Sequence, residues 1–361
     1  MSTPEPRQRH RIALVAPTLE NLGGQGIQAR ALAESLRGEG YEVEFIPINP
    51  RFPARLQWLR RYPYARTLLN QAIYLPSLHR LRKAHVVHVF SASYSSFLLS
   101  PLPAILAAKS LGKRIVVNYR SGEADDHLTR WGVLVHPWLS LVDEIVVPSE
   151  YLREVFVRHG YRARVIRNVV DTSRFRYRER TPLSPRLLST RNLEPHYGVH
   201  NTLEAFALLK ARYPEATLTV AGSGSDEGRL SRLAASLGTG GVCFKGQVER
   251  RAIPRLYEAA DIYVNSSVID NQPGSVLEAF AAGLPVVSTP TGDIAAMVRD
   301  GETGLLVPPG DPVATAKAIT VLLEDPERAL AITRRARQEV DRYTWARVRG
   351  EWADVYAGRA S

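Results

Sequence analysis

The sequence predicts an α/β protein of two doubly wound domains, each built on a parallel sheet. Its 361 residues exceed what one hydrophobic core usually serves, so two domains are expected. Short apolar runs alternate with helical stretches throughout, and most are apolar over their whole length, as strands covered on both faces must be. A charged, proline-bearing segment without periodicity, 171–185, separates two series of such runs and is the predicted linker.

Twelve strands follow from these runs. The first series is predicted at 11–17, 41–48, 85–91, 114–119, 143–149 and 163–168, and the second at 185–192, 216–222, 241–246, 261–267, 284–289 and 303–309. The predicted domains are 1–180 and 181–340, facing each other across a cleft formed by the carboxyl ends of both sheets, where such folds bind ligands. A last helix within 341–361 carries Trp345, Trp352 and Tyr356 near one face, and we expect it to pack back toward the first domain.

The cysteine count and the distribution of apolar residues narrow the class of protein further. Cys243 is the only cysteine, so an internal disulfide is excluded, and this fits a reducing cytoplasm. Because the residues around Cys243 are apolar, we expect it to be a buried packing residue. The opening MSTPEPRQRH contains no apolar stretch typical of a secretory signal. The longest uncharged run, 84–108, contains two prolines and two histidines, so it is interpreted as a buried strand with a short helix and not as a membrane span.

Positive charge is concentrated in the first domain. No acidic residue lies between Glu44 and Glu123, whereas the same stretch holds twelve Lys or Arg, and the net charge of the chain is +11. Aromatic residues and leucines are interspersed in 51–85, a composition suited to anionic lipid headgroups. A solvated basic face is the competing interpretation. Nucleic acid is not expected, since no binding motif accompanies the charge.

The stretch DNQPGSVLEAFAAGLPVVSTPTGD, 270–293, carries the clearest chemistry. A helix is predicted from Gly274 to Ala282, and the amide groups of Gly274, Ser275 and Val276 at its start form an anion site that suits a phosphate. Glu278 lies one turn further on the same face, where a carboxylate can accept hydrogen bonds from the two hydroxyls of a ribose.

Asp270 would face the opposite side of that phosphate, toward whatever group is attached there. The site thus has places for a diol, a diphosphate and a second polyol in a row, which is the chemical composition of a nucleotide sugar. Two simpler interpretations compete: Asp270 as the helix N-cap, and Glu278 as a solvated helix residue.

The same stretch resembles the donor-binding segment of the retaining family-4 glycosyltransferases, which have the two-domain GT-B fold. The resemblance extends over most of the chain, through GGQGIQARALAESL, VPSEYLREVF, RNVVDTSRF, RNLEPHYGVHNTLEAFALL and GETGLLVPPGD. It implies transfer of a sugar from a nucleoside-diphosphate sugar to a hydroxyl of a lipid-linked or polysaccharide intermediate. It also implies that Asp270 lies by the donor sugar, Glu278 holds the ribose, and Gly23, Gly24 and Arg191 approach the donor and its diphosphate.

The sequence departs from that family at three positions. Asp270 is one methylene shorter than the usual glutamate, His196 or Tyr197 replaces the usual lysine, and Arg120 replaces a histidine after the fourth strand. Arg191 and Arg120 can both neutralise a phosphate at any pH, so donor binding is still expected. Asp126 and His127 are weaker candidates for holding the acceptor, with a surface loop as the alternative.

No metal or other cofactor is expected, because the sequence has no Asp-x-Asp triplet and no His or Cys cluster with ligand spacing. The predicted location is cytoplasmic, at the inner face of a membrane if the basic stretch binds lipid. Three other functions compete with sugar transfer: a non-catalytic nucleotide-sugar-binding protein, an epimerase or phosphorylase of the same fold, and an NAD-dependent oxidoreductase. The last rests on GSGSDEG, 222–228, whose glycine spacing is wrong for that motif.

Overall fold

A computed structural model describes residues 10–18 and 24–359. Its contacts divide the chain into two compact units. The first holds the residues up to Arg167 together with those from Val348 onward, and the second runs from Asn168 to Arg347.

The first unit contains a six-stranded parallel sheet in the order β2-β1-β3-β4-β5-β6. Its strands are β1 Arg11–Ala16, β2 Glu42–Pro47, β3 Val86–Ser91, β4 Arg114–Tyr119, β5 Glu144–Val147 and β6 Arg164–Val165. Its helices are α1 Gly24–Gly38, α2 Pro63–Ser77, α3 Ser95–Leu99, α4 Pro101–Ser110, α5 Ala124–Arg130, α6 Gly132–Leu139 and α7 Glu150–Arg158. The strand order reverses between β1 and β3, which marks the ligand-binding crevice of doubly wound folds.

The second unit contains a parallel sheet in the order β12-β11-β10-β7-β8-β9. Its strands are β7 Arg186–Ser189, β8 Thr217–Val220, β9 Val242–Phe244, β10 Ile262–Asn265, β11 Val286–Ser288 and β12 Leu305–Leu306. Its helices are α8 Val199–Arg212, α9 Glu227–Ser236, α10 Ile253–Ala259, α11 Gly274–Ala282, α12 Ile294–Met297, α13 Pro312–Glu324 and α14 Pro326–Glu339. The final helix, α15 Trp345–Ala357, begins in the second unit and belongs to the first unit from Val348 onward. Here the order reverses between β7 and β10, so these two strands flank the crevice.

Continuous apolar runs predicted the strands correctly because both faces of each sheet are covered. Every residue of β3 and of β10 is buried, and β1 and β4 are buried after their first residue. The uncharged run 84–108 forms the buried strand β3 as interpreted, but two helices follow it, α3 and most of α4, instead of one. Within the residues that the structure describes, no helix combines the length and apolar character needed to cross a bilayer.

The prediction for Cys243 is wrong, because its side chain is exposed. Cys243 lies in β9, which is at the edge of its sheet and is paired, among the described residues, with β8 alone. An edge strand packs against fewer neighbours than a central one, so its apolar sequence does not guarantee burial.

Helix α15 packs on the first sheet through two of its aromatic residues. Trp352 and Tyr356 are 3% and 1% exposed, and their rings are stacked at 5.7 Å. The imidazole of His88 on β3 lies 5.0 Å from Trp352, and its Nδ1 lies 2.9 Å from the hydroxyl oxygen of Tyr356. The third aromatic residue of the predicted stripe, Trp345, is half-buried.

Candidate functional site

The candidate site lies in the second unit, at the reversal of strand order. Arg191 follows the end of β7 by two residues, and Asp270 lies in the loop between β10 and α11. Parallel neighbours end at the same edge of a sheet, so the two side chains converge there. The Nη2 of Arg191 donates to Oδ2 of Asp270 at 2.6 Å, and both side chains are about nine-tenths buried.

Three contacts fix the guanidinium of Arg191. Besides Asp270, it donates from Nη1 to the Ser275 hydroxyl at 3.2 Å, and it lies 4.2 Å from the centre of the Tyr197 ring. Its Nε is buried and has no hydrogen-bond partner among the described residues. Such an unpaired buried donor costs about 1–3 kcal/mol unless another acceptor reaches it.

Glycine at 222 lets the Arg191 loop lie close to its neighbour. Gly222 has φ +149°, and a Cβ there would come within 2.0 Å of the Arg191 carbonyl oxygen. The N–H of Leu193 donates to the Ser223 carbonyl in the same contact. A Cβ on Gly224 would likewise come within 2.2 Å of the Leu193 carbonyl oxygen, so the first two glycines of GSGSDEG have a packing role in this contact.

Helix α11 begins and ends where the sequence predicts. Pro273 is its N-cap, and Gly283 follows its last residue in the left-handed conformation, φ 75°. Asp270 does not cap the helix; its Oδ1 accepts a hydrogen bond from the N–H of Asn271. The competing interpretation of Asp270 as an N-cap is therefore wrong.

Gly274 is not required by the fold. Its φ is not positive, and a Cβ added there would meet no atom within 4 Å. The N–H groups of Gly274 and Ser275 have no partner in the described part of the chain, whereas that of Val276 bonds to the Pro273 carbonyl at 3.3 Å. The first turn of α11 therefore presents open amide groups beside Arg191, without a side chain over them.

Glu278 lies one turn into α11 and is half-buried, so it is not a solvated residue. Its Oε2 accepts a hydrogen bond from the Tyr257 hydroxyl at 2.8 Å. Burial raises the pKa of the Glu278 carboxyl, while that hydrogen bond and the charges of Arg174 and Arg250 oppose the rise.

Arg120, predicted at the end of β4, lies in the first unit. Its Nη1 donates to Oδ1 of Asn118 at 3.2 Å, and its guanidinium lies 5.4 Å from the centre of the Phe90 ring. Burial lowers the pKa of Arg120 to about 9, which still leaves it charged at neutral pH. Gly24 is the first residue of α1, and a Cβ on it would meet open space. Gly23 lies outside the described residues.

Asp126 and His127, the weaker candidates for holding the acceptor, differ in how accessible their side chains are. Asp126 accepts a hydrogen bond from the Tyr94 hydroxyl at 2.5 Å, and 42% of its side chain is exposed. His127 is fully buried, with Nδ1 2.8 Å from the Tyr119 hydroxyl oxygen. An acceptor reaching this helix would contact Asp126 and not His127. No group of three His, Cys, Asp or Glu side chains suited to a metal ion is found among residues 10–18 and 24–359.

Sequence reasoning missed three residues of the site: Thr190, Tyr257 and Tyr263. The Thr190 hydroxyl lies 2.7 Å from that of Tyr257 and 3.4 Å from that of Tyr263. Tyr257 and Tyr263 occupy apolar positions of α10 and β10, where sequence alone does not distinguish them from core residues.

Solved structures with this architecture cover nearly the whole chain. Sucrose-phosphate synthase from Thermosynechococcus elongatus matches with a TM-score of 0.75 over 97% of this chain and 98% of that chain, at 20% identity. HepE from Anabaena, solved in complex with UDP and glucose, matches with a TM-score of 0.72 over 96% and 99% of the two chains, at 17% identity. These likenesses define the fold as GT-B.

Two family models adjoin along the sequence. Glycosyltransferase Family 4 matches residues 22–174, and glycosyl transferases group 1 matches residues 173–339. The chain therefore belongs to the family-4 glycosyltransferases.

Relatives differ in what they act on. Phosphatidyl-myo-inositol mannosyltransferase of Mycolicibacterium smegmatis is 28% identical over 96% of this chain and 93% of that protein. Glycogen synthase of Mycobacterium tuberculosis is 30% identical over 70% of this chain, which spans 65% of the relative, slightly under two thirds of its length.

Proposed function

We propose that the protein transfers a sugar from a nucleoside-diphosphate sugar to a hydroxyl acceptor, with retention of anomeric configuration. One observation carries the proposal: Arg191, Asp270 and the open amide groups of Gly274 and Ser275 meet at the reversal of strand order. A cation, helix amide groups and a carboxylate in one place suit a ligand that carries a diphosphate next to a sugar.

The leaving diphosphate gains negative charge as its bond to the sugar breaks. Arg191 and the N-terminus of α11 would stabilise that charge, the guanidinium because it stays protonated at any working pH. A phosphate oxygen would also supply the acceptor that the buried Nε of Arg191 lacks among the described residues. Asp270 would contact the donor sugar, and Arg120, Gly23 and Gly24 remain predictions from the family resemblance.

Donor binding is tested first, by the shift in melting temperature with UDP-, GDP- and ADP-sugars, since a ligand of the folded form alone raises it. The same sugars, radiolabelled, then report transfer, and the anomeric configuration of the product reports retention. We expect release of nucleoside diphosphate to fall in Asp270→Asn and Glu278→Gln. Rates equal to wild type in both variants would overturn the assigned roles, and binding without turnover on any hydroxyl acceptor would favour a non-catalytic protein.

Transfer is proposed to need no metal ion, because Arg191 and the helix amides offset the charge on the diphosphate. Activity after treatment with EDTA is then expected to equal that of the untreated protein. Restoration of a lost activity by Mg²⁺ or Mn²⁺ would contradict this part of the proposal.

The acceptor is proposed to be a lipid-linked or polysaccharide intermediate handled at an anionic membrane surface. The surface formed by residues 54–75 supports this. Trp58, Tyr64 and Leu68 are 57%, 87% and 72% exposed, although their side chains are largely apolar. Arg55, Arg60, Arg61 and Arg66 are exposed in the same segment, and no acidic residue interrupts it. Apolar side chains framed by cations match an anionic interface, where both lipid tails and headgroups are within reach.

A further inference from the structure

The hydroxyl of Tyr257 has one proton and three polar neighbours. It lies 2.8 Å from Oε2 of Glu278, 3.1 Å from the Ser275 carbonyl oxygen and 2.7 Å from the Thr190 hydroxyl. An ionised carboxylate only accepts hydrogen bonds, as does a carbonyl, so both compete for the same proton. The carboxylate is closer and charged, so it takes the stronger bond.

Thr190 supports this direction of the hydrogen bond from Tyr257 to Glu278. The Thr190 hydroxyl lies 3.4 Å from the Tyr263 oxygen but only 2.7 Å from the Tyr257 oxygen, so with the Tyr257 proton directed at Glu278 it donates to the nearer oxygen, that of Tyr257. The chain from Thr190 through Tyr257 to Glu278 then runs in one direction, and such chains strengthen each member.

Packing fixes the Tyr257 ring independently of its hydroxyl. The side chain is fully buried, its ring is stacked on Tyr263 at 5.8 Å, and it meets Phe175 edge to face at 5.4 Å. The backbone carbonyl of Tyr257 also accepts a hydrogen bond from Nη2 of Arg180 at 2.9 Å. The hydroxyl is thus held at a defined point beside Glu278, and a phenylalanine would keep the same ring contacts.

We propose that Tyr257 is a positioning residue for ribose recognition: its hydroxyl orients the Glu278 carboxylate and keeps it ionised, and Thr190 orients that hydroxyl. This rests on the proposed function, in which Glu278 holds the ribose. One oxygen of Glu278 is occupied by Tyr257, so the other is left to accept from the ribose hydroxyls. Losing the tyrosine proton would free the carboxylate to rotate and remove a bond that opposes the rise in its pKa.

The test compares Tyr257→Phe with wild type by calorimetric titration of UDP, GDP and ADP and of their 2′,3′-dideoxy counterparts. Loss of one charge-assisted hydrogen bond is expected to weaken binding of the ribonucleotide by about ten-fold. Binding of the dideoxy nucleotide should be unchanged, because it has no hydroxyls for Glu278 to hold. The affinity of the variant for the ribonucleotide should also begin to fall at a higher pH than that of wild type, since protonated Glu278 is the weaker acceptor.

Tyr74→Phe is the matched control. Tyr74 is as buried as Tyr257 but lies in the first unit, and its hydroxyl donates a hydrogen bond to the Ser100 carbonyl that the variant would lose. Thr190→Val is a second variant that leaves the tyrosine in place, and we expect a smaller loss in the same direction. Equal preference for ribonucleotide over dideoxynucleotide in wild type, Tyr257→Phe and Thr190→Val would overturn the positioning role alone. A wild-type protein that binds none of the nucleotides, or binds both kinds equally, would overturn the proposed function as well.

Discussion

Arg191 and Asp270 form a buried ion pair, with Nη2 of the arginine 2.6 Å from Oδ2 of the aspartate. The family resemblance assigns them to different parts of the donor, the diphosphate and the sugar. Because the two side chains are hydrogen-bonded to each other, the position of one sets the position of the other. The shorter side chain at 270 is therefore compatible with the site, since it reaches the guanidinium directly.

Breaking this pair from one side is expected to destabilise the fold strongly. Arg191→Met leaves a buried carboxylate without its partner, which costs about 3–5 kcal/mol of unfolding free energy. Adding Asp270→Asn to Arg191→Met should recover part of that loss, because the unpaired charge is then removed. Urea unfolding of the four proteins measures the coupling between the two positions.

Arg334→Met is the control for the ion pair. Arg334 and Glu179 are 2.7 Å apart, but their side chains are 59% and 40% exposed, so the loss of unfolding free energy should be much smaller than that for Arg191→Met. Additive losses at 191 and 270 would show that these two residues do not act as a unit.

Gly274→Ala should separate stability from binding. The added methyl meets no atom of the described chain, so the unfolding free energy should rise by about 0.4–1 kcal/mol through loss of unfolded-state entropy. The same methyl would stand beside the open amide groups, so the donor nucleotide should bind more weakly. Thermal unfolding and nucleotide titration of one preparation measure both effects. An alanine variant that binds as tightly as wild type would remove the backbone amides from the site.

The sequence predicted those parts of the site that depend on local chemistry. Pro273 before the helix, Gly283 after it and Glu278 one turn in follow directly from helix rules, and the structure has them where expected. Burial of the central strands β1, β3, β4, β10 and β11 also followed from their continuous apolar runs. Cys243 was misjudged because strand order, and with it the edge of the sheet, depends on pairing across distant segments.

The hydrogen-bond network could not be predicted for the same reason. Its residues come from three separate elements: Thr190 follows β7, Tyr257 lies in α10 and Tyr263 in β10. These elements meet only once the sheet has folded. Each looks like an ordinary packing residue along the chain. The fully buried position of His127 also depends on tertiary packing, in this case against Tyr94 and Phe97.

Two buried histidines predict an acid-sensitive first unit. Burial, with the nearby charge of Arg120, lowers the pKa of His88 to about 3, and burial lowers that of His127 to about 4 against the opposing charge of Asp126. Since histidine titrates at about 6.5 when unfolded, the stability that the neutral rings contribute is complete above that pH and is lost as the pH falls toward the folded values. Each histidine should cost on the order of 1 kcal/mol of unfolding free energy for every pH unit below 6.5.

Denaturant unfolding between pH 7.5 and 5 tests this acid sensitivity, with the first unit followed by hydrogen exchange. His88→Phe should be less stable at pH 7.5, because Tyr356 loses its hydrogen-bond partner, and should also lose less stability on acidification. The exposed His79→Gln serves as control and should keep the wild-type slope. Parallel pH curves for wild type and His88→Phe would contradict the assignment.

We predict that the surface formed by residues 54–75 binds anionic vesicles. Its exposed apolar side chains and its arginines should contribute separately to this binding. Tyr64→Ser with Leu68→Ser removes the side chains that would enter the interface, and it should weaken cosedimentation with phosphatidylserine vesicles at any salt concentration. Arg61→Gln with Arg66→Gln removes charge, so its effect should be largest at low salt and fade as screening increases. Leu208→Ser, at a 48% exposed position of α8, is the matched apolar control and should bind like wild type. Equal binding of wild type to neutral and anionic vesicles would exclude an electrostatic membrane surface, because neutral lipid has no net negative charge to attract the arginines.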